Sequence, residues 1–239
     1  AAMACGVSLV FSPTRSRLLS AAGMLSPSGN CKALDVSADG YARGEAVACA
    51  LILSSAYPAQ APSALLPGSA ANQDGRSSSL TAPHGPSQQD VIRLACSSAG
   101  RDPSKDLGAV EMHGTGTALG DPIEVGALLA AAQGRRAPVA VGGPPLALQA
   151  PKSLFAHPEA AAGMVGVLSA ASMLIGRRAL AVRHLRQVNP HIEQFLPSPA
   201  AGAQPLLLAA RQPCAFVNGR ADSVGVSCFA YQGTNCHVV

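Results

Sequence analysis

Residues 111–125 read EMHGTGTALGDPIEV, and the rest of the chain is organised around them. An apolar run ending at Val110 predicts a strand that delivers His113 to a Gly-Thr-Gly-Thr loop, after which a helix starts. Asp121 suits the N-cap, Pro122 the first helical position and Glu124 the third, three start signals in one turn. Gly114 and Gly116 permit positive φ and the close approach of a ligand, while Thr115 and Thr117 bring hydroxyls to the same mouth. An imidazole beside two hydroxyls on a strand-to-helix turn points to a reaction site; the alternative is a structural turn carrying a surface histidine.

A second stretch repeats the pattern. Residues 152–166 read KSLFAHPEAAAGMVG, where Pro158 suits a first helical turn and Glu159 faces the positive end of the dipole. The following helix, to about residue 175, is mostly Ala, Gly, Val and Leu, which predicts burial nearly all round, with Gly176 closing it. His157 therefore sits at the mouth of a second buried helix, with the Lys152 ammonium just upstream.

Composition narrows the function classes. The 239 residues suffice for one large domain or two small ones. Hydrophobic residues make up 48% and charged ones only 13%, so part of the surface is expected to lie against a partner. The net charge is +4, but the basic residues are scattered and do not interleave with aromatics, which argues against nucleic-acid binding. No uninterrupted apolar run of about 18 residues occurs, so no membrane span is expected. The first residues, AAMACGVSLVF, lack the charged lead of a signal peptide. Seven cysteines without a CxxC pair suggest neither a disulfide framework nor a zinc knuckle. Reduced, mostly buried thiols in a reducing compartment, cytoplasm or plastid, are expected.

In order, residues 1–11 read as a strand, followed by a Ser-, Pro- and Gly-rich loop to Asn30. A turn at Ala38, Asp39 and Gly40 feeds a buried strand over 46–53. The Pro- and Ala-rich segment 57–67 is the candidate lobe boundary. Helical spacing covers 88–100, stopped by Gly100, and an apolar strand region broken by Gly142, Gly143, Pro144 and Pro145 covers 137–150. Strands around 212–217 and 223–229 lead through a small-residue turn to a last strand ending at Val239. The alternation of helices and buried strands is that of an α/β protein.

Five blocks, SADGYARGEA, NQDGRSSSLTAPHGPSQ, EMHGTGTALGDPIEVGAL, PKSLFAHPEAAAGMVG and GVSCFAYQGTNCHVV, resemble successive signatures of the β-ketoacyl synthase (ketosynthase) family. The nearest type is that of modular polyketide synthases, and the resemblance covers nearly the whole chain. It implies a thiolase-like fold, layered αβαβα and incomplete, with residues 1–57 ending an N-terminal half and 58–239 forming the C-terminal half. It also implies carbon–carbon bond formation by decarboxylative Claisen condensation in polyketide or fatty-acid synthesis. An acyl group is held as a thioester on a cysteine, and a malonyl unit arrives on the phosphopantetheine of an acyl carrier protein, no cofactor being bound directly. By position, His113 and His157 match the family's two catalytic histidines, which stabilise the enolate, and Lys152 matches the lysine that supports them. Thr115 and Thr117 match the hydroxyls that hold the pantetheine arm. Tyr231 stands where the family usually carries a gating Phe whose backbone N–H completes the oxyanion hole. A dimer is a further implication.

The nucleophilic cysteine of the family lies in a TACSSS-like block upstream of residues 1–11. Leu94-Ala95-Cys96-Ser97-Ser98 imitates that block, but its register before VEMHGTGT places Cys96 on a peripheral helix as a packing thiol. Cys228 and Cys236 stand where the family has small residues and read the same way. Ala156, Ala46, Ala230 and Gln232 replace glycines, and a Cβ costs roughly 1 kcal/mol or more wherever positive φ is needed. Ser79 and His84 replace the family's Gly and Asn. Two readings follow. The first is a ketosynthase whose cysteine comes from a Cys-bearing N-terminal half or a larger multisubunit complex. The second is an inactive ketosynthase-like scaffold or assembly subunit. His184, His191 and His237 have no partner at ligand spacing, and no metal site is expected.

Overall fold

The computed structural model describes residues 1–54, 62–75, 82–132, 146–195, 206–208, 214–215 and 222–239. Strand β1 (Ala2–Ser8) leads to helix α1 (Pro13–Ala21), and strands β2 (Ala46–Ile52) and β3 (Ser69–Gln73) precede helix α2 (Gly85–Ser98). Strand β4 (Ala109–Glu111), helix α3 (Gly120–Ala132) and strand β5 (Leu146–Gln149) follow. The short helix α4 (Lys152–Phe155) and a 3₁₀ turn (Glu159–Ala161) then lead into α5 (Ala162–Gly176). Strand β6 (Arg178–Ala179), helix α6 (Pro190–Glu193) and strands β7 (Leu206–Leu208), β8 (Cys214–Ala215), β9 (Val224–Phe229) and β10 (Thr234–Val238) complete the order.

The central sheet runs β3-β10-β9-β4-β5-β7, antiparallel from β3 to β9 and parallel from β9 to β7. Strand alternation gives its two faces different partners. Val110 and Leu148 join Val91, Ile92, Val125 and Leu128 of α2 and α3 in one core. Ala109, Ala147, Val224 and Val226 join Ala170 and Met173 of α5 in the other. Beyond α5 lies the antiparallel pair β1–β2, whose small inner-face residues permit close contact: a Cβ on Gly6 would lie 2.9 Å from the Ala161 Cα. The layers are therefore helix, sheet, helix, sheet.

The outer face of β1–β2 is apolar and open. Met3 faces Leu51, Cys5 faces Cys49 and Val7 faces Val47, with Met3 71% and Leu51 64% exposed. The expected burial of 46–53 is thus met only at Ala48, because the other face has no layer on it among the described residues. Helix α5 departs from expectation for the same reason: Ala162, Gly166, Ser169, Ala170 and Met173 are buried, while Leu168 and Ile175 are exposed. Arg177, in the left-handed region at φ 49°, ends α5 in place of Gly176. The run Glu159–Gly176 is long and apolar enough to cross a membrane, a point the uninterrupted-run criterion missed. Its start is tied into the fold through an ion pair between Glu159 and Arg43.

Helix α1 lies in the expected loop, capped by the Ser12 hydroxyl with Pro13 at the first position, and it buries none of its side chains. Helix α2 starts three residues earlier than the periodicity predicts; Gly100, at φ 65°, follows its end. The proposed boundary at 57–58, Ser79, the Gly142–Pro145 break and most of the strand expected over 212–217 lie outside the described residues.

Candidate active site

The loop bearing His113 hangs from two buried carboxylates. Glu124 accepts the backbone N–H of His113 at 2.6 Å and that of Gly114 at 2.8 Å. Asp121 accepts Gly116 N–H at 3.1 Å with one oxygen and Leu34 N–H at 2.8 Å with the other. The expected N-cap and capping box at these residues are therefore not what forms. Helix α3 starts at Gly120, and the Thr117 hydroxyl, 3.1 Å from Gly120 N, takes the capping position. Both acids turn back to hold the loop, whose donors are otherwise buried. Gly114 and Gly116 lie at φ 40° and 80°, and a Cβ on Gly116 would stand 2.7 Å from Lys32 N, so only glycine fits there. Burial pushes Glu124 up to about 7 and Asp121 up to about 6, the backbone donors pulling in the opposite direction.

His157 is held differently. Its N–H donates to Ala42 O at 2.8 Å and its carbonyl accepts Gly44 N–H at 2.9 Å, a bridge between the end of α4 and residues 42–44. Ala156, just before it, sits at φ 59° and ψ −169°, backbone that is essentially glycine's own. Of the four replaced glycines that fall within the described residues, Ala156 alone adopts positive φ; Ala46 is an ordinary strand residue, and the Ala230–Gly233 turn puts its positive φ at Gly233. Arg43 forks onto both oxygens of Glu159 at 2.8 and 3.2 Å, and the Tyr41 ring lies edge-on to His157 with centroids 5.0 Å apart.

These supports bring the two imidazoles together at right angles, centroids 5.5 Å apart. His113 Nδ1 accepts the backbone N–H of Phe229 at 3.3 Å, and His157 Nδ1 accepts that of Glu159 at 3.2 Å. An Nδ1 that accepts carries no proton, so in both neutral rings the proton sits on Nε2. Burial, then the Lys152 charge, depresses His157 to about 3; burial, Lys152 and His157 push His113 well below its ordinary range. Both rings are therefore neutral Nε2–H donors.

Lys152, the first residue of α4, is buried close enough to depress both imidazoles. Burial lowers its own pKa, against the nearby Cys228, Glu124, Cys31 and Glu111. Glu111 ends β4, 1% exposed, with one oxygen accepting from Ser169 and the other without a partner among the described residues. Burial lifts it to about 7, Ser169 and Lys152 acting the other way. Sequence reasoning gave Glu111 no role, although a carboxylate closing an apolar strand next to a lysine-linked histidine was the available signal.

Thr115 is buried and Thr117 half-buried on the loop that follows His113. Tyr231 is exposed on the β9–β10 turn, and the aromatic ring beside His113 is Phe229, at 5.9 Å. Cys96 is fully buried in the α2 core, its thiol pushed up to about 11 by burial and the nearby Asp102 and Asp106. Cys228 and Cys236 face each other across β9 and β10, both half-buried. The six cysteines whose side chains are described are free thiols; Cys5 and Cys49 are exposed, contrary to the expectation of mostly buried thiols. His237 is buried, pushed down to about 4 by burial, with Nδ1 3.0 Å from the Ser227 hydroxyl. Among the described residues no group of His, Cys, Asp and Glu has metal-binding geometry.

Comparison with known proteins gives the arrangement its relatives. Residues 1–57 match the profile described as "Beta-ketoacyl synthase, N-terminal domain" and residues 63–186 that described as "Beta-ketoacyl synthase, C-terminal domain". The whole chain is 42% identical over 241 residues to the spectinabilin polyketide synthase system protein NorA' of Streptomyces orinoci. It is 40% identical over 246 residues to the erythronolide synthase EryA2 of Saccharopolyspora erythraea. The chain spans only 6% of the length of each. A ketosynthase from module 6 of the bacillaene synthase of Bacillus subtilis 168 superposes with a TM-score of 0.86 at 33% identity, over 99% of this chain and 41% of that one. An oxazolomycin ketosynthase domain from Streptomyces albus gives a TM-score of 0.87 at 28% identity, with 99% and 40% covered. The thiolase-like fold expected from the sequence blocks is borne out by these structures.

Proposed function

The chain belongs to the β-ketoacyl synthase family, and from that premise we propose that its paired imidazoles stabilise the enolate of a decarboxylative Claisen condensation. A malonyl thioester on the phosphopantetheine of an acyl carrier protein places its carbonyl oxygen between His113 Nε2–H and His157 Nε2–H. The C–CO₂⁻ bond breaks, carbon dioxide leaves, and the electron pair moves onto the carbonyl to form the enolate. The enolate carbon then attacks an acyl thioester, a C–C bond forms, and the thiolate departs. Two preorganised neutral donors aimed at developing negative charge contribute a few kcal/mol in such sites. The observation that carries this reading is the shared orientation: each Nδ1 is occupied by a backbone N–H, leaving both Nε2 protons for one oxygen.

In this reading Thr115 and Thr117 hold the pantetheine arm, Lys152 and Glu111 tune the imidazoles, and the Tyr231 turn borders the acyl thioester. The cysteine that carries the acyl group is supplied from outside residues 1–239, by a Cys-bearing N-terminal half seated against the open face of β1–β2 or by a larger complex. Residues 1–57 and 58–239 are its two half-fold segments, the assembly is a dimer, and the compartment is cytoplasm or plastid. One observation favours the scaffold reading: the non-glycine backbone strain at Ala156, on the loop that carries His157. Carbon dioxide release from malonyl-carrier thioester separates the two. The enzyme reading expects release that falls about 10²-fold or more in His113→Ala or His157→Ala; no release above the uncatalysed rate leaves the scaffold.

A further inference from the structure

Among the described residues two cysteine pairs stand directly opposite each other across antiparallel strands, Cys5 and Cys49 on β1–β2 and Cys228 and Cys236 on β9–β10. Directly opposed residues have Cα atoms about 4.5 or 5.5 Å apart, and Cβ atoms about 4.5–5.5 Å apart. A disulfide needs Cα atoms about 4.4–6.8 Å apart and Cβ atoms about 3.5–4.5 Å apart, so a small approach of the strands closes either pair. Access separates the two. Cys228 is half-buried, its sulfur 3.6 Å from where a Cβ on Gly163 of α5 would stand, and burial raises the pKa of both Cys228 and Cys236. Cys5 and Cys49 are exposed on the outer face, between Met3, Val7, Val47 and Leu51, with no layer over them among the described residues. The Cys5 thiol donates to the Cys49 sulfur, which raises its pKa ahead of burial and the Cys49 charge, so the two sulfurs already face each other.

We propose that Cys5 and Cys49 form a reversible cross-strand disulfide, closed by exchange with a low-molecular-weight disulfide and opened by a thiol. One cysteine thiolate attacks a sulfur of the small disulfide, forming a mixed disulfide and releasing one small thiolate. The other cysteine, as its thiolate, attacks the protein-bound sulfur, forms the Cys5–Cys49 bond and releases the second small thiolate. Two protein thiols are oxidised, the small disulfide is reduced to two thiols, and the two protons given up by the cysteines end on them. The bond ties β1 to β2, and β2 continues from residues 42–44, which bridge to His157. Neither cysteine lies on a histidine-bearing loop, so the inference stands apart from the condensation proposed above. A half-fold seated on this face would shield both sulfurs, which confines the exchange to the uncovered chain.

Peptide mapping of the full chain after exposure to oxidised glutathione tests this, the remaining thiols being alkylated in denaturant. The Cys5 and Cys49 peptides should be recovered joined, in at least about tenfold greater yield than Cys228 joined to Cys236. Dithiothreitol should separate them, and dilution of the chain should leave the yield unchanged, because the bond lies within one molecule. In Cys5→Ser no second thiol resolves the exchange, so glutathione should persist on Cys49; Cys49→Ser should likewise leave it on Cys5. Cys228→Ser should keep the Cys5–Cys49 linkage. Glutathione that persists on both cysteines of the parent, a linkage that falls with dilution, or Cys228–Cys236 linkage formed as readily overturns the inference. So does recovery of Cys5 and Cys49 as unreacted thiols.

Discussion

The loops that carry His113 and His157 bring their imidazoles together by different means. The first bends at two glycines and is tied by two buried carboxylates to four backbone donors, at His113, Gly114, Gly116 and Leu34. The second bends at an alanine forced into glycine's conformation and leans on residues 41–44 through a backbone bridge and the Arg43–Glu159 fork. One loop is built from local chemistry and buried hydrogen bonds. The other is strained and is held in place from across the fold, so damage to the two should register differently.

The largest effect is expected at Glu124. Glu124→Ala leaves the His113 and Gly114 donors buried without an acceptor, and each such orphan costs about 1–3 kcal/mol. A melt should show a loss of about 2–6 kcal/mol; a variant as stable as the parent would mean that the carboxylate does not hold this loop. Glu159→Gln keeps the shape but removes the charge that the nearly buried Arg43 forks onto. About 1–3 kcal/mol should disappear, with His157 resonances broadened and those of His113 unchanged. Equal broadening of both rings would erase the distinction between the loops. The smallest effect runs the other way: Ala156→Gly should raise stability by up to about 1 kcal/mol as the strain is released. A destabilised glycine variant would show that the left-handed backbone is not under strain.

Acid should reveal what the two rings share. Each imidazole is depressed below its ordinary value of 6.5, so below that pH the unfolded chain binds protons that the folded one refuses. Their contribution to stability is whole above pH 6.5 and is lost as pH falls towards the His157 value of about 3. Glu111, raised to about 7, acts with the opposite sign, favouring the folded state as pH falls from 7 towards its ordinary value of 4.5. In Glu111→Gln the denaturant midpoint should therefore lose less on going from pH 5 to pH 7 than it does in the parent; an unchanged difference contradicts the raised carboxyl.

How much of this was written in the chain depends on the range of each interaction. The positions of His113, His157 and Lys152 could be read because strand, loop and helix signals are local, and the left-handed backbone at Ala156 could be read because glycine blocks mark it. The tasks of Asp121 and Glu124 could not. Their spacing fits a cap, and nothing nearby announces that Asp121 binds Leu34, 87 positions away. Ala46, Ala230 and Gln232 looked strained only because glycines stand there in relatives; one is an ordinary strand residue, and the turn holding the others places its positive φ at Gly233. The apolar composition of α5 promised burial on every side, whereas one flank of it and the outer face of β1–β2 carry no layer among the described residues.

The most direct trial of the central claim is nitrogen NMR of the two imidazoles in the full chain, between pH 8 and pH 5. Both rings should appear as neutral Nε2–H tautomers throughout, with bare Nδ1 nitrogens. A proton on Nδ1 of either ring, or titration of His157 near 6.5, would turn one donor away from the shared oxygen and contradict the account.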